Sequence, residues 1–143
     1  MRKKVLSILL LAICVCNIYA EYTAKQLIGT EWQNINYKGR EKRMFFTTDS
    51  IVYTYYMAKD TMCVSFPYYL SDEYTENFDF SKVGKNNKGN YVVDYNPYIP
   101  EVTCREIKKF NSDSLVVFLR AMPHHVGGAD MTVTYTRMKP EYE

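Results

Sequence analysis

The chain has 143 residues, room for one domain rather than two. Its 18 basic and 16 acidic residues give a formal charge of +2, but Arg2, Lys3 and Lys4 stand in a leader segment; the remaining 15 basic and 16 acidic residues nearly balance. That balance argues against a nucleic acid or an anionic membrane surface as partner.

The first twenty residues read as a secretory signal peptide. Arg2-Lys3-Lys4 is followed by an apolar run of twelve residues, Val5 to Cys16, and then by Asn17-Ile18-Tyr19-Ala20, with the small Ala20 before Glu21. The run is shorter than the roughly 20 residues of a membrane-spanning helix, and no comparable run follows. The expectation is a signal peptide at 1–20 and a single mature domain at 21–143. That domain would be exported to the periplasm or the extracellular space, with no transmembrane segment and no cofactor, and is expected to be a monomer. The alternative is a lipid anchor through Cys14 or Cys16, although Ile13 and Val15 are bulky residues to precede a lipidated cysteine. In an exported domain, Cys63 and Cys104 are expected to pair. The bond would close a loop of about 42 residues and stabilise the fold by roughly 4 kcal/mol. Two separate buried thiols are the other reading.

Glu21 to Gly29 reads as a short helical turn, with Thr23 and Gln26 as a capping box and Gly29 as the closing residue. A first strand follows Trp32 to about Tyr37, and Lys38-Gly39-Arg40 turns the chain. From Arg43 to Met57, two runs rich in β-branched and aromatic residues flank Asp49-Ser50, the pattern of a hairpin. The segment Phe46 to Val52 is echoed by Phe110 to Val116, so the hairpin is written twice. Met62 to Tyr68 alternates up to Pro67, which predicts a strand that ends, bulges or lies at an edge. Asn77 to Phe80 reads as a short strand and Ser81 to Asn90 as a mobile loop. Tyr91–Tyr95, Val102–Phe110, Ser114–Arg120 and Met131–Arg137 complete the strands. The fold class is all-β: an antiparallel meander of about eight strands closing into a barrel, since little helix is at hand to cover open edges.

These residues resemble the bacterial lipocalin-like family of small exported calycin-type barrels. The likeness rests on Gly29-Thr30-x-Trp32, on the Phe-x-x-Asp-Ser-aliphatic hairpins and on Tyr135-Thr136-Arg137 in the last strand. The spacing Gly29 to Trp32 is one residue longer than the family's Gly-x-Trp. The resemblance implies that Trp32 packs beneath Arg137 and closes one end of the barrel, a cation–π contact of about 0.5–2 kcal/mol.

Tyr53, Tyr55, Phe66, Tyr68 and Tyr135 fall in inward phase on their strands. They either line a cup for a small, partly apolar or aromatic ligand, with phenols orienting its polar part, or fill the barrel as core. Tyr68, Tyr69, Tyr95 and Tyr98 are a second candidate, an exposed platform for sugars or a protein partner. His124-His125, with Asp130 nearby, lack further metal ligands at suitable spacing and read as a solvated loop tip. Asp72, Glu73, Glu76 and Asp79 lack the order of a calcium loop, and Lys82, Lys85 and Lys88 read as solvated charge. No nucleophile elbow or catalytic constellation stands out, so no enzyme activity is expected. Two functions remain: a binding protein for a small ligand, and an interaction module, an inhibitor or envelope-complex subunit, with a filled barrel.

Overall fold

The computed structural model describes residues 21–34, 42–56, 60–121 and 128–139. The leader with Cys14 and Cys16, the Lys38 turn and the His124-His125 pair lie outside the described residues.

Among the described residues, ten strands and one short α-helix follow in the order β1 (Tyr22–Thr23), α1 (Ala24–Leu27), β2 (Glu31–Asn34), β3 (Lys42–Phe46), β4 (Ser50–Tyr56), β5 (Thr61–Ser71), β6 (Lys88–Gly89), β7 (Tyr91–Asn96), β8 (Glu101–Phe110), β9 (Ser114–Leu119) and β10 (Met131–Arg137). Eight of them form a closed antiparallel barrel ordered β10-β2-β3-β4-β5-β7-β8-β9; β1 and β6 pair in a separate ribbon. The expected all-β barrel of eight strands is therefore the fold, and closure leaves the sheet without a free edge.

The two echoed hairpins are built alike. In the first, Thr47 N–H donates to the Ser50 carbonyl at 2.8 Å and the Thr47 hydroxyl oxygen accepts from Ser50 N–H at 2.9 Å. In the second, Asn111 N–H donates to the Ser114 carbonyl at 3.0 Å and the Asn111 amide oxygen accepts from Ser114 N–H at 2.8 Å. Thr47 and Asn111 thus do the same task with different oxygens, as turn-forming side chains do. Each turn also hands its aspartate carbonyl to a neighbouring segment: Asp49 accepts from Tyr68 N–H and Asp113 from Arg137 N–H.

Pro67 interrupts no ladder. Thr61 to Pro67 pair with β4, while pairing with β7 begins only at Tyr68. Tyr68 N–H points toward the β4 side, to Asp49, so the missing proline N–H falls on the opposite side, just before β7 pairing starts.

Between β5 and β7 the chain leaves the barrel. The expected strand at Asn77–Phe80 is not formed; Phe80–Lys82 is a 3₁₀ turn that Asp79 caps through Ser81 N–H at 3.0 Å. The stretch after it is held rather than mobile. Asn87 donates its side-chain amide to the Lys82 carbonyl at 2.6 Å, its own carbonyl accepts from Ala24 N–H at 3.0 Å, and Lys88–Gly89 pair with Thr23–Tyr22. Local polarity reads as a loop, but backbone pairing with β1 lies more than sixty residues away and leaves no local trace.

This excursion covers part of the barrel's outer face. Tyr69, Val93 and Cys104 are buried there beneath Tyr74, Phe78 and Val83. At one end, α1 seats Ala24 and Leu27 against the interior core. Gln26 accepts from Thr23 N–H at 2.8 Å, as the capping box requires, and Gly29 takes φ +77° after the helix.

The disulfide expectation is corrected: Cys63 and Cys104 are both free thiols. Cys104 stands opposite Val93, and Val93 opposite Tyr69. Cys63 precedes Tyr69 along β5 by six residues, roughly 20 Å of strand. A disulfide needs Cα atoms within about 7 Å. Cys63 is exposed, its sulfur 3.5 Å from the Thr54 hydroxyl, while Cys104 is buried on the covered outer face.

Candidate functional site in the barrel interior

Alternation places one face of every barrel strand inside, and the interior divides into two halves. Around α1 it is apolar and filled: Trp32, Phe46, Ile51, Tyr68, Leu70 and Leu115 are all almost wholly withdrawn from solvent. Each such side chain contributes about 1.5–3 kcal/mol by its removal from water. Phe110 reaches this half because a bulge between Ile107 and Lys109 resets the phase of β8, bringing its ring 5.8 Å from Trp32 and 5.6 Å from Tyr22. Trp32 donates its indole N–H to the Thr30 hydroxyl at 2.7 Å, and Thr30 donates to the Leu27 carbonyl at 2.6 Å. Arg137 stands opposite Trp32 in register, its guanidinium carbon 5.1 Å from the centre of the indole ring. Arg137 packs on Trp32 despite the longer Gly29–Trp32 spacing.

Toward the other end the interior turns polar. Asp94 on β7 is 1% exposed, and its Oδ1 accepts a charge-assisted bond from Nη1 of Arg105 on β8, whose side chain is 15% exposed. The guanidinium lies 5.9 Å from the centre of the Tyr53 ring. Burial works against the guanidinium's charge, but Asp94, Tyr53 and Tyr135 together raise its pKa above the ordinary arginine value. Burial likewise pushes the Tyr53 phenol well up and that of Tyr55 up, with Arg105 pulling each the other way. Arg105, Tyr53 and Tyr55 therefore keep their protons around neutral pH. Beyond them, burial falls off. Tyr55, Val64, Thr103, Leu119 and Val133 are half-buried, and Met131 is 50% exposed.

Of the five ligand candidates read from the sequence, Tyr53, Tyr55 and Tyr135 converge on Arg105. Phe66 backs Tyr53, with ring centroids 5.2 Å apart. Tyr68 belongs to the closed half: it packs on Phe46 at 5.3 Å and donates its hydroxyl to the Thr47 carbonyl at 3.0 Å. The sequence reading missed Asp94 and Arg105. Their signal was a charged residue in phase with buried neighbours, Asp94 two after Val92 and Arg105 two before Ile107.

The surface platform is redrawn. Tyr68 and Tyr69 are buried, so neither belongs to it. Tyr95 instead joins Phe78 and Phe80, with ring separations of 4.8–5.5 Å, while Tyr98 and Ile99 stand 73% and 66% exposed on the β7–β8 turn. Among the described residues, no group of histidine, cysteine and carboxylate side chains is placed to hold a metal. A cleft of about 620 Å³ on the outside is lined by Glu21, Asp72, Asn90, Tyr91, Glu106 and Arg120. Its walls mix polar and apolar surface, with four charged side chains, Glu21, Asp72, Glu106 and Arg120, among them. Comparison of the chain with family models, with curated proteins and with solved structures gave no match.

Proposed function

We propose that this is an exported, lipocalin-like barrel that binds a small, partly apolar molecule in the polar half of its interior. One observation carries the reading: the Asp94–Arg105 pair sits inside the barrel among Tyr53, Tyr55 and Tyr135. A buried ion pair is a poor way to stabilise a core, since well-packed apolar residues of similar volume often do as well or better. Clustered charged and phenolic groups inside an otherwise apolar barrel are what a ligand with a polar head and an apolar body requires. In this reading Val64, Leu119 and Val133 contact the body and the cluster contacts the head. The filled half beneath, with Trp32 under Arg137, supplies the rigid floor.

The test is uptake of the neutral fluorescent probe N-phenyl-1-naphthylamine by protein covering residues 21–143, which contain every barrel strand. Bright, saturable emission is expected, and Leu119→Trp, which fills the wall of the cup, should abolish it. A barrel that leaves the probe dark while folded refutes the reading.

A second reading is favoured by the exposed turn between β7 and β8. Tyr98 and Ile99 there are large apolar side chains in water, flanked by the exposed prolines Pro97 and Pro100. Such residues suit a protein partner. Crosslinking in envelope extracts should then recover one specific partner, lost in Tyr98→Ser/Ile99→Ser.

A further inference from the structure

We propose that the cleft on the outside of the barrel, beside the β1–β6 ribbon, binds short peptides by their two charged ends. The peptide ammonium lies toward Glu21 and Asp72, and its carboxylate lies on Arg120. The inference is independent of the interior reading above.

Strand register sets these charges at opposite ends of the cleft. Ser71 stands opposite Tyr91 and Tyr22 opposite Gly89, so Asp72 and Glu21 each come next to Asn90. Tyr91 in turn stands opposite Glu106, and Glu106 opposite Phe118, with Arg120 two residues farther on. From the end of β5, where Asp72 stands, to β9 is three strand spacings, roughly 14 Å of backbone separation that the side chains shorten. Glu21, Asp72, Asn90, Tyr91, Glu106 and Arg120 line one cleft of about 620 Å³, a volume usual for small-ligand sites. Each extended residue adds roughly 3.5 Å, so a single amino acid is too short to touch both ends. Two or three residues span them.

The end groups are ready for a ligand. Among the described residues, no cation pairs with Glu21 or Asp72 and no carboxylate with Arg120. Glu106, between them, is already answered by Lys108 at 2.6 Å. Arg120 lays its guanidinium over Tyr74, 4.6 Å from the ring centre. That contact uses the flat face and leaves the N–H edge for a two-pronged bond to a carboxylate. At the other end, Asn90 Oδ1 is buried without a hydrogen-bond partner, a costly state for an acceptor. A small turn of that amide presents it to a ligand N–H.

The experiment titrates trialanine into residues 21–143 carried behind an N-terminal tag, which keeps the chain's own ammonium away from Glu21. Backbone amide shifts at Asn90, Tyr91 and Glu106 are followed by NMR. Saturable shifts are expected there, and binding should weaken as salt is raised. N-acetyl-trialanine and trialanine amide each lack one end charge, and each should bind about fivefold more weakly, the upper range for a partly exposed ion pair. Glu21→Gln/Asp72→Asn should erase the difference between trialanine and its acetylated form. Arg120→Gln should erase that between trialanine and its amide. All three residues are exposed, so the fold tolerates these changes. Equal binding of the three peptides overturns the proposal, as does a folded protein whose amides do not shift at millimolar trialanine. Differences that the variants leave unchanged overturn it as well. Shifts that gather instead on the inward residues Val64 and Leu119 place the peptide inside the barrel and overturn the assignment to the cleft.

Discussion

Asp94 and Arg105 are the residues on which most depends. Breaking a buried pair by removing one partner leaves an uncompensated charge and costs about 3–5 kcal/mol, whereas replacing both by apolar groups can be nearly neutral. Arg105→Met should therefore lower stability in urea denaturation by that amount, and Asp94→Leu/Arg105→Met by much less. Tyr68 makes a different prediction. Burial, reinforced by Asp49, pushes its phenol up to about 12, above the ordinary value of 10.0. The folded state then holds that proton where the unfolded chain releases it, so the associated stability is complete below about pH 10 and is lost as pH rises toward 12. Denaturation midpoints measured from pH 9 to 12 should fall, and Tyr68→Phe should flatten the slope. At this scale the sequence was half legible. Strand phase correctly put Tyr53, Tyr55 and Tyr135 inside, because alternation is local. It placed Tyr68 there too but could not show which half of the barrel it occupies. Asp94 and Arg105 were passed over because each charge, read alone, resembles a solvated residue; only the register of β7 with β8 shows that they neutralise one another.

Among the elements, the β1–β6 ribbon is the most exacting. Gly89 has φ +154°, and a Cβ there would lie 1.9 Å from the Ser71 carbonyl oxygen, which belongs to the backbone of β5 and has little room to yield. Gly89→Ala should cost about 1–3 kcal/mol, as overpacking commonly does. It should first release the ribbon, seen as faster hydrogen exchange at Tyr22 and Thr23 with the central barrel amides still protected. This element was invisible in the sequence, where Lys88-Gly89 looks like loop. The barrel strands were visible because each carries its own two-residue period, and the repeated Phe-x-x-Asp-Ser turn marked two hairpins that prove to share their hydrogen bonding. What pairs across long separations, ribbon to ribbon, leaves no such mark.

For the molecule as a whole, the barrel keeps its two cysteines on different strands and in different surroundings. Cys63 is exposed, whereas Cys104 is buried and its thiol pKa is raised by that burial. A thiol reagent should label Cys63 alone in the native protein and both after unfolding in urea, without prior reduction. With no covalent link, the closure of the barrel rests on β10 alone. Among the described residues, the seam joins Tyr135–Arg137 to Asn34–Trp32. It ties positions about a hundred residues apart, whereas every other neighbouring pair in the ring is sequential or separated only by the excursion. Ordering so long an intervening chain is repaid only when most of the other strands are in place. The seam should accordingly be the last part of the ring to form and the first to part, and unzipping of β10 from β2 would be the least costly way for this closed wall to breathe.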